Sequence, residues 1–172
     1  MARAFILCTA VYPALAIFVS AGAPRSFAET PRPVQWTFTA SARDSSSMHE
    51  GATAVAHLHA QIQHGWHVYA LDQGPGGPVP MRISVPERQP FAIDGDIVAP
   101  TPKRAFDPNL NIKTRFYDDE ATFTIPIKTT SAPSNGLRNI SLDVLYQACN
   151  DRMCLSPTTL HLASAVSLSK GL

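Results

Sequence analysis

Cys149 and Cys154 stand five positions apart in the run Tyr146-Gln147-Ala148-Cys149-Asn150-Asp151-Arg152-Met153-Cys154-Leu155-Ser156-Pro157. They are the only cysteines left once an apolar leader carrying Cys8 is set aside. Two thiols at this spacing fit a structural cross-link, a redox-active disulfide, or free thiols and metal ligands. Bridging needs a Cα separation of roughly 4.4–6.8 Å. Closing a ring of about six residues removes about 2 kcal/mol of chain entropy, against nearly 5 for a ring of about a hundred. A staple would do more by joining distant strands. The spacing therefore leans toward chemistry and leaves the staple open. Exchange chemistry needs a thiolate that can reach a partner's sulfur. Arg152 favours that thiolate and Asp151 opposes it.

Other residues could join such a site. His67 and Tyr69 are two apart, so on a strand they share a face. His67 changes charge near neutral pH and could tune a thiolate. Trp66 would face the other way, into the core. Asp107-Pro108-Asn109-Leu110 falls in an irregular stretch from Thr101 to Lys113, and long irregular segments in compact domains tend to be functional loops. Its plain reading is a surface turn. His57 and His59 also share a face, but no Cys, Asp or Glu lies near them in sequence to complete a metal site. An exposed strand face is the simpler reading, and no metal or cofactor is predicted. A serine hydrolase is excluded by the lack of a nucleophile-elbow motif. Asp118-Asp119-Glu120 reads as a solvated turn.

The elements that must position these residues are strands. Ile140 to Tyr146 and Thr158 to Val166 alternate on either side of the cysteines, which predicts a hairpin or tight connection in one sheet. Val34 to Ala40 alternates, as does Ala52 to Gln63, with one polar face. Asp44 to Gly51 is a polar turn. Trp66 to Leu71 and Met81 to Val85 are strands around a Gly/Pro turn, Asp72 to Pro80, that cannot be helical. Phe91 to Ala99 reads as an irregular strand. Thr114 to Tyr117 and Glu120 to Lys128 are two more, with Pro126 placing the latter at an edge or near its end. Ser131 to Gly136 is a turn. About nine strands and no helix predict an all-β, immunoglobulin-like β-sandwich.

Composition agrees with one globular domain. The chain has 172 residues, 45% of them hydrophobic and 16% charged, with 15 prolines and nine glycines that favour turns over long helices. Met1 to Ala28 reads as a secretory signal: Arg3 at the start, an apolar run from Ala4 to Ala21, and Ser26-Phe27-Ala28 before a cut at Glu29. The mature domain is then 29–172. Removing Arg3 and Arg25 leaves 12 basic against 13 acidic residues, a net charge of −1. That balance, without a basic run, leaves no footprint for nucleic acid. No second apolar run approaches the roughly 20 residues needed to span a bilayer. An exported chain would meet an oxidising compartment, where disulfides persist.

The cysteine run resembles the signature of the N-terminal periplasmic domain of the DsbD thiol:disulfide interchange family. A Tyr-Gln precedes the first cysteine, a short polar loop follows, and a proline lies after the second. Gly65-Trp66-His67-Val68-Tyr69 with Gly76-Gly77-Pro78-Val79-Pro80 agrees, and so does Asp107-Pro108-Asn109-Leu110 with Phe116-Tyr117 and the strand Ala121 to Ile127. The likeness covers roughly Val34 to Leu168. It implies that Cys154 forms the bond to a partner and Cys149 resolves it. It places the aromatics of the His67–Tyr69 block beside the pair, while Tyr146 and Arg152 neighbour the pair in sequence. It also implies that the Asp107–Leu110 loop caps the cysteines, with Leu110 where the family often has an aromatic. The family's membrane-embedded and thioredoxin-like domains lie outside the region of likeness, so the electron source is expected to be a separate protein.

The leading expectation is a periplasmic module that relays electrons through its cysteine pair, as a protein-disulfide reductase would. Its partners would be a membrane-embedded reductase and exported thioredoxin-like proteins. Two others stand beside it: an immunoglobulin-like binding module with a structural disulfide, and a metal-handling accessory protein.

Overall fold

A computed structural model describes residues 31–42, 50–131 and 136–168. The predicted signal over 1–28 lies outside the described residues, as does most of the polar turn over 44–51. Eleven strands form among the described residues: β1 (Val34–Ala42), β2 (Thr53–Ile62), β3 (Trp66–Tyr69), β4 (Arg82–Ser84), β5 (Phe91–Ile93), β6 (Lys103–Asp107), β7 (Ile112–Asp118), β8 (Glu120–Thr129), β9 (Gly136–Tyr146), β10 (Ala148–Asn150) and β11 (Thr158–Leu168). The described residues contain no helix. Three antiparallel sheets run β1-β2-β8-β5, β10-β3-β7-β6 and β11-β9-β4. The architecture is an all-β, immunoglobulin-like sandwich.

Period-two alternation builds the core. On β2, Ala54, Ala56, Leu58, Ala60 and Ile62 turn inward, while His57 and Gln61 face solvent. On β8, Ala121, Phe123, Ile125 and Ile127 do the same. The register sets Leu58 against Phe123 and alanines against Ile125 and Ile127, so bulk on one strand meets small side chains on the other. Ile140, Leu142 and Val144 of β9 join the same cluster. Each large apolar side chain buried this way contributes about 1.5–3 kcal/mol.

The structure corrects the sequence reading in three places. The stretch from Thr101 to Lys113 is not irregular: β6 lies in it and pairs with β7 from Lys103↔Phe116 to Asp107↔Ile112. Four of the five β6 residues are exposed, so no apolar alternation marked the strand. The stretch from Phe91 to Ala99 forms a strand only over β5, with one isolated bridge at Val98↔Thr124. Pro126 lies near the end of its strand, as expected, but that strand has neighbours on both sides rather than forming an edge. Its position is tolerated because β5 ends at Ile93. Pro126 then needs only to accept the Asp94 N–H at 2.8 Å, and its missing donor faces no ladder partner.

A fourth departure positions the site. β9 and β11 pair as expected, from Tyr146↔Thr158 onward. The cysteine segment between them leaves that sheet, and β10 pairs instead with β3. The excursion carries both cysteines to the sheet that holds His67, Tyr69 and the β6–β7 hairpin.

Candidate functional site

Cys149 and Cys154 are joined by a disulfide, with Cα atoms 4.1 Å apart. The Asn150 N–H donates to the Met153 carbonyl at 2.9 Å and the Leu155 N–H to the Ala148 carbonyl at 2.9 Å. These two bonds bracket the cysteines and leave them as a pair without mutual hydrogen bonds, the pairing that brings Cα atoms closest. Asn150 closes the turn between them: its Oδ1 accepts the N–H groups of Arg152 and Met153, both at 2.9 Å. An asparagine that bonds its own turn is a local reason for the loop to form here. The two sulfurs differ in access. Cys149 is 0% exposed, whereas Cys154 is partly exposed. Met153 beside it is 47% exposed.

Opposite the disulfide lies the tip of the β6–β7 hairpin. Asp107 ends β6 with its side chain only 1% exposed. Its Oδ1 accepts the N–H groups of Asn109 at 2.9 Å and Leu110 at 3.3 Å. The Asp107 carbonyl accepts the Asn111 N–H at 2.8 Å. Asn111 adopts φ 56°, a left-handed conformation that asparagine tolerates. The tip over Asp107, Pro108, Asn109 and Leu110 is thus a carboxylate-wrapped turn. Two bonds attach it to the site. The Tyr69 hydroxyl donates to Asp107 Oδ2 at 2.6 Å, and Asn109 Nδ2 donates to the Asn150 carbonyl at 2.8 Å. Leu110 contributes neither and is 40% exposed.

Tyr69 connects this carboxylate to sulfur. Its hydroxyl lies 3.7 Å from Cys154 Sγ. Burial raises the Tyr69 pKa above the ordinary tyrosine value, and the hydrogen bond and charge of Asp107 raise it further. The phenol therefore stays protonated and holds the carboxylate. His67 sits on the same strand face, with its ring 5.4 Å from that of Tyr69 and 4.9 Å from that of Phe116. It is the register partner of Cys149. Its Nε2 lies 3.8 Å from Asp107 Oδ2 and has no hydrogen-bond partner although buried. Burial pushes the His67 pKa below its ordinary value, against the opposing pull of Asp107, Asp151 and Asp118.

The geometry thus brings together Cys149, Cys154, His67, Tyr69 and Asp107, with Asn109 and Asn150 linking the two loop tips. The ring of Tyr146 packs 5.1 Å from that of Trp36. Arg152 is exposed on the turn, where its backbone N–H bonds Asn150. Trp66 packs against the core, as its strand parity predicted. The sequence reading missed Asn150, Phe116 and Gln147, whose side chain donates to the Leu155 carbonyl at 3.1 Å. The available signals were an asparagine directly after a cysteine in a short loop and, for Gln147 and Phe116, their places in the blocks that carry the family likeness. His57 and His59 bond Thr124 and Thr122 across the strands. No three His, Cys, Asp or Glu side chains among the described residues cluster as metal ligands. No helix among them is long and apolar enough to cross a membrane.

The fold is shared with a solved structure. The N-terminal periplasmic domain of ScsB from Proteus mirabilis shares the fold with a TM-score of 0.53 at 23% identity. The match covers 77% of this chain and 46% of that one, so the chain spans less than half of its length. BcpA, the major pilin subunit of Bacillus cereus, matches at a TM-score of 0.40 and 9% identity, over 78% of this chain and 39% of that one, too loosely to argue from. No curated protein sequence matches the chain. The family described as thiol:disulfide interchange protein DsbD, N-terminal, matches residues 35–164, across the cysteine turn, the His67–Tyr69 strand and the Asp107 hairpin. The chain therefore belongs to the DsbD N-terminal domain family.

Proposed function

We propose that this protein is a periplasmic thiol–disulfide exchange module, exported by its residues 1–28 and relaying electrons through Cys149 and Cys154. The observation that carries the reading is the unequal access of the two sulfurs at the rim of the sheet. A donor's thiolate attacks the accessible Cys154 Sγ. The Cys149–Cys154 bond breaks, and Cys149 leaves as a thiolate that takes up a proton. A second donor thiolate then attacks the donor sulfur in the mixed disulfide and releases Cys154. Two electrons have moved to the pair, and the donor is left with a disulfide. In the next half-cycle the Cys154 thiolate attacks a recipient's disulfide and Cys149 resolves the mixed species.

The donor in this reading is a membrane-embedded reductase, and the recipients are exported thioredoxin-like proteins. Family membership supports the class of chemistry. The hairpin tip over Asp107–Leu110 supports a guarded sulfur, because two bonds, to Tyr69 and to Asn150, hold it against the site.

The test uses the reduced Cys149→Ala variant, mixed with an oxidised thioredoxin-like partner and resolved on a non-reducing gel. A mixed disulfide through Cys154 is expected; its absence across a panel of such partners would sink the relay. The reduction potential decides against a structural staple. A staple sits below about −300 mV, and an exchange site above it.

A further inference from the structure

The exchange step places a charge problem on Cys154. Its sulfur lies 3.7 Å from the Tyr69 hydroxyl, which lies 2.6 Å from the Asp107 carboxylate. A thiolate there forms beside a buried negative charge, and like charges at short range hold a thiol protonated. The Tyr69 proton is already committed to Asp107 and cannot also serve the sulfur. Lys103 is engaged by Asp118 at 2.6 Å. Arg152 is exposed. His67 is the basic side chain within reach of Asp107, at 3.8 Å, and its Nε2 is buried without a partner. A buried polar atom left unpaired in one protonation state is a candidate for use in another.

We propose that His67 is a positioning residue that becomes protonated when Cys154 ionises, pairs with Asp107, and so permits a thiolate at Cys154. The inference rests on the exchange reading above. The step moves one proton and no electrons: neutral imidazole and thiol become imidazolium and thiolate. The electron pair then leaves sulfur only in its attack on a partner's disulfide. As an imidazolium, His67 carries a proton on both ring nitrogens, so Nε2 becomes a donor toward Asp107 Oδ2.

The charges around His67 set the sign. Asp107 faces it from β6 and Asp118 from β7, the latter bound by Lys103. Asp151 faces it from the cysteine turn, Cys149 lies across from it on β10, and Tyr69 is on its own strand. With the disulfide closed, burial outweighs the acids and keeps the ring neutral near neutral pH. A thiolate adds negative charge to the cluster and favours the imidazolium. The two groups then titrate as a coupled pair.

Alkylation of Cys154 by iodoacetamide, followed against pH in the reduced Cys149→Ala chain, tests this without any partner protein. With His67 present, the rate is expected to rise in two steps. In the additional His67→Gln variant it should rise in one step at higher pH, with a rate at pH 7 about tenfold lower, the effect of one pKa unit. Superimposable profiles would overturn the proposal. Asp107→Asn removes the charge but keeps an Oδ1 acceptor for the hairpin tip. In that background the loss on His67→Gln should shrink; an undiminished loss would also overturn it. Should His67→Gln not fold, NMR titration of His67 in the unsubstituted protein replaces it. Its midpoint should rise on reduction, and an unchanged midpoint refutes the coupling. A missing mixed disulfide with partners would instead count against the exchange reading, since in the 29–172 chain, which lacks Cys8, iodoacetamide reports on Cys154 alone.

Discussion

Between β2 and β8, Leu58 lies against Phe123, and Ala56 and Ala54 against Ile125 and Ile127, with no polar side chain among them. At the rim formed by β3, β6 and β10, a carboxylate, a phenol and an imidazole are buried around a disulfide, and one ring nitrogen has no partner. Both regions take side chains out of water, the first completely and the second in part. The first does so with groups that gain by it. The second holds groups that lose solvation and recover only part of it through hydrogen bonds. Natural folds depart from local consistency mainly where function requires it. The contrast is what the proposed exchange site requires of the rim, with the β2–β8 interface as the scaffold that tolerates it.

The comparison predicts effects that differ in size and kind. Phe123→Ala should cost the most, about 3–5 kcal/mol in urea unfolding, from lost burial and the cavity left behind. It should leave the disulfide's reactivity toward small thiols unchanged in the fraction that stays folded. A change in that reactivity would mean the two regions are not separable. Asp107→Ala should cost less, about 1–3 kcal/mol, the penalty for an unsatisfied buried Tyr69 hydroxyl. It should also speed reduction of the disulfide by dithiothreitol, because the tip loses the carboxylate that wraps it. An unchanged reduction rate would show that the hairpin tip does not guard Cys154.

The smallest effect is a pH dependence. His67 has its pKa depressed in the folded, oxidised state relative to about 6.5 in the unfolded chain. Between those values the unfolded chain binds more protons. Stability should therefore fall as pH drops from about 6.5 through the folded pKa, and the loss should be complete below it. His67→Phe should flatten that part of the curve, as measured by thermal unfolding against pH. A stability curve with no slope below about pH 6.5 in the unsubstituted protein would overturn this reading.

Legibility followed the same division. The β2 and β8 strands were readable because their inward residues alternate with Thr, His and Gln, and such periodicity survives without tertiary information. The cysteine turn was readable from its spacing. β6 was not, because Lys103, Arg104, Ala105 and Phe106 are all exposed at a sheet edge and carry no burial pattern. Asp107 looked like an ordinary turn residue beside Pro108. Its burial depends on Tyr69, a residue 38 positions away that offers it a hydroxyl. The ring of Tyr146 packs on Trp36, a partner that no local pattern reveals.

By itself, the sequence determined an all-strand chain with two cysteines flanking a short polar turn, and His67 and Tyr69 on one strand face. Those features follow from backbone periodicity and from spacing within a few residues. Only the tertiary structure decided that β10 leaves the β9–β11 pairing for β3, that Asp107 reaches Tyr69, and that Cys149 is sealed while Cys154 is open. Each depends on which distant strands pair, and that choice is made by the burial of the whole core rather than by any segment of it.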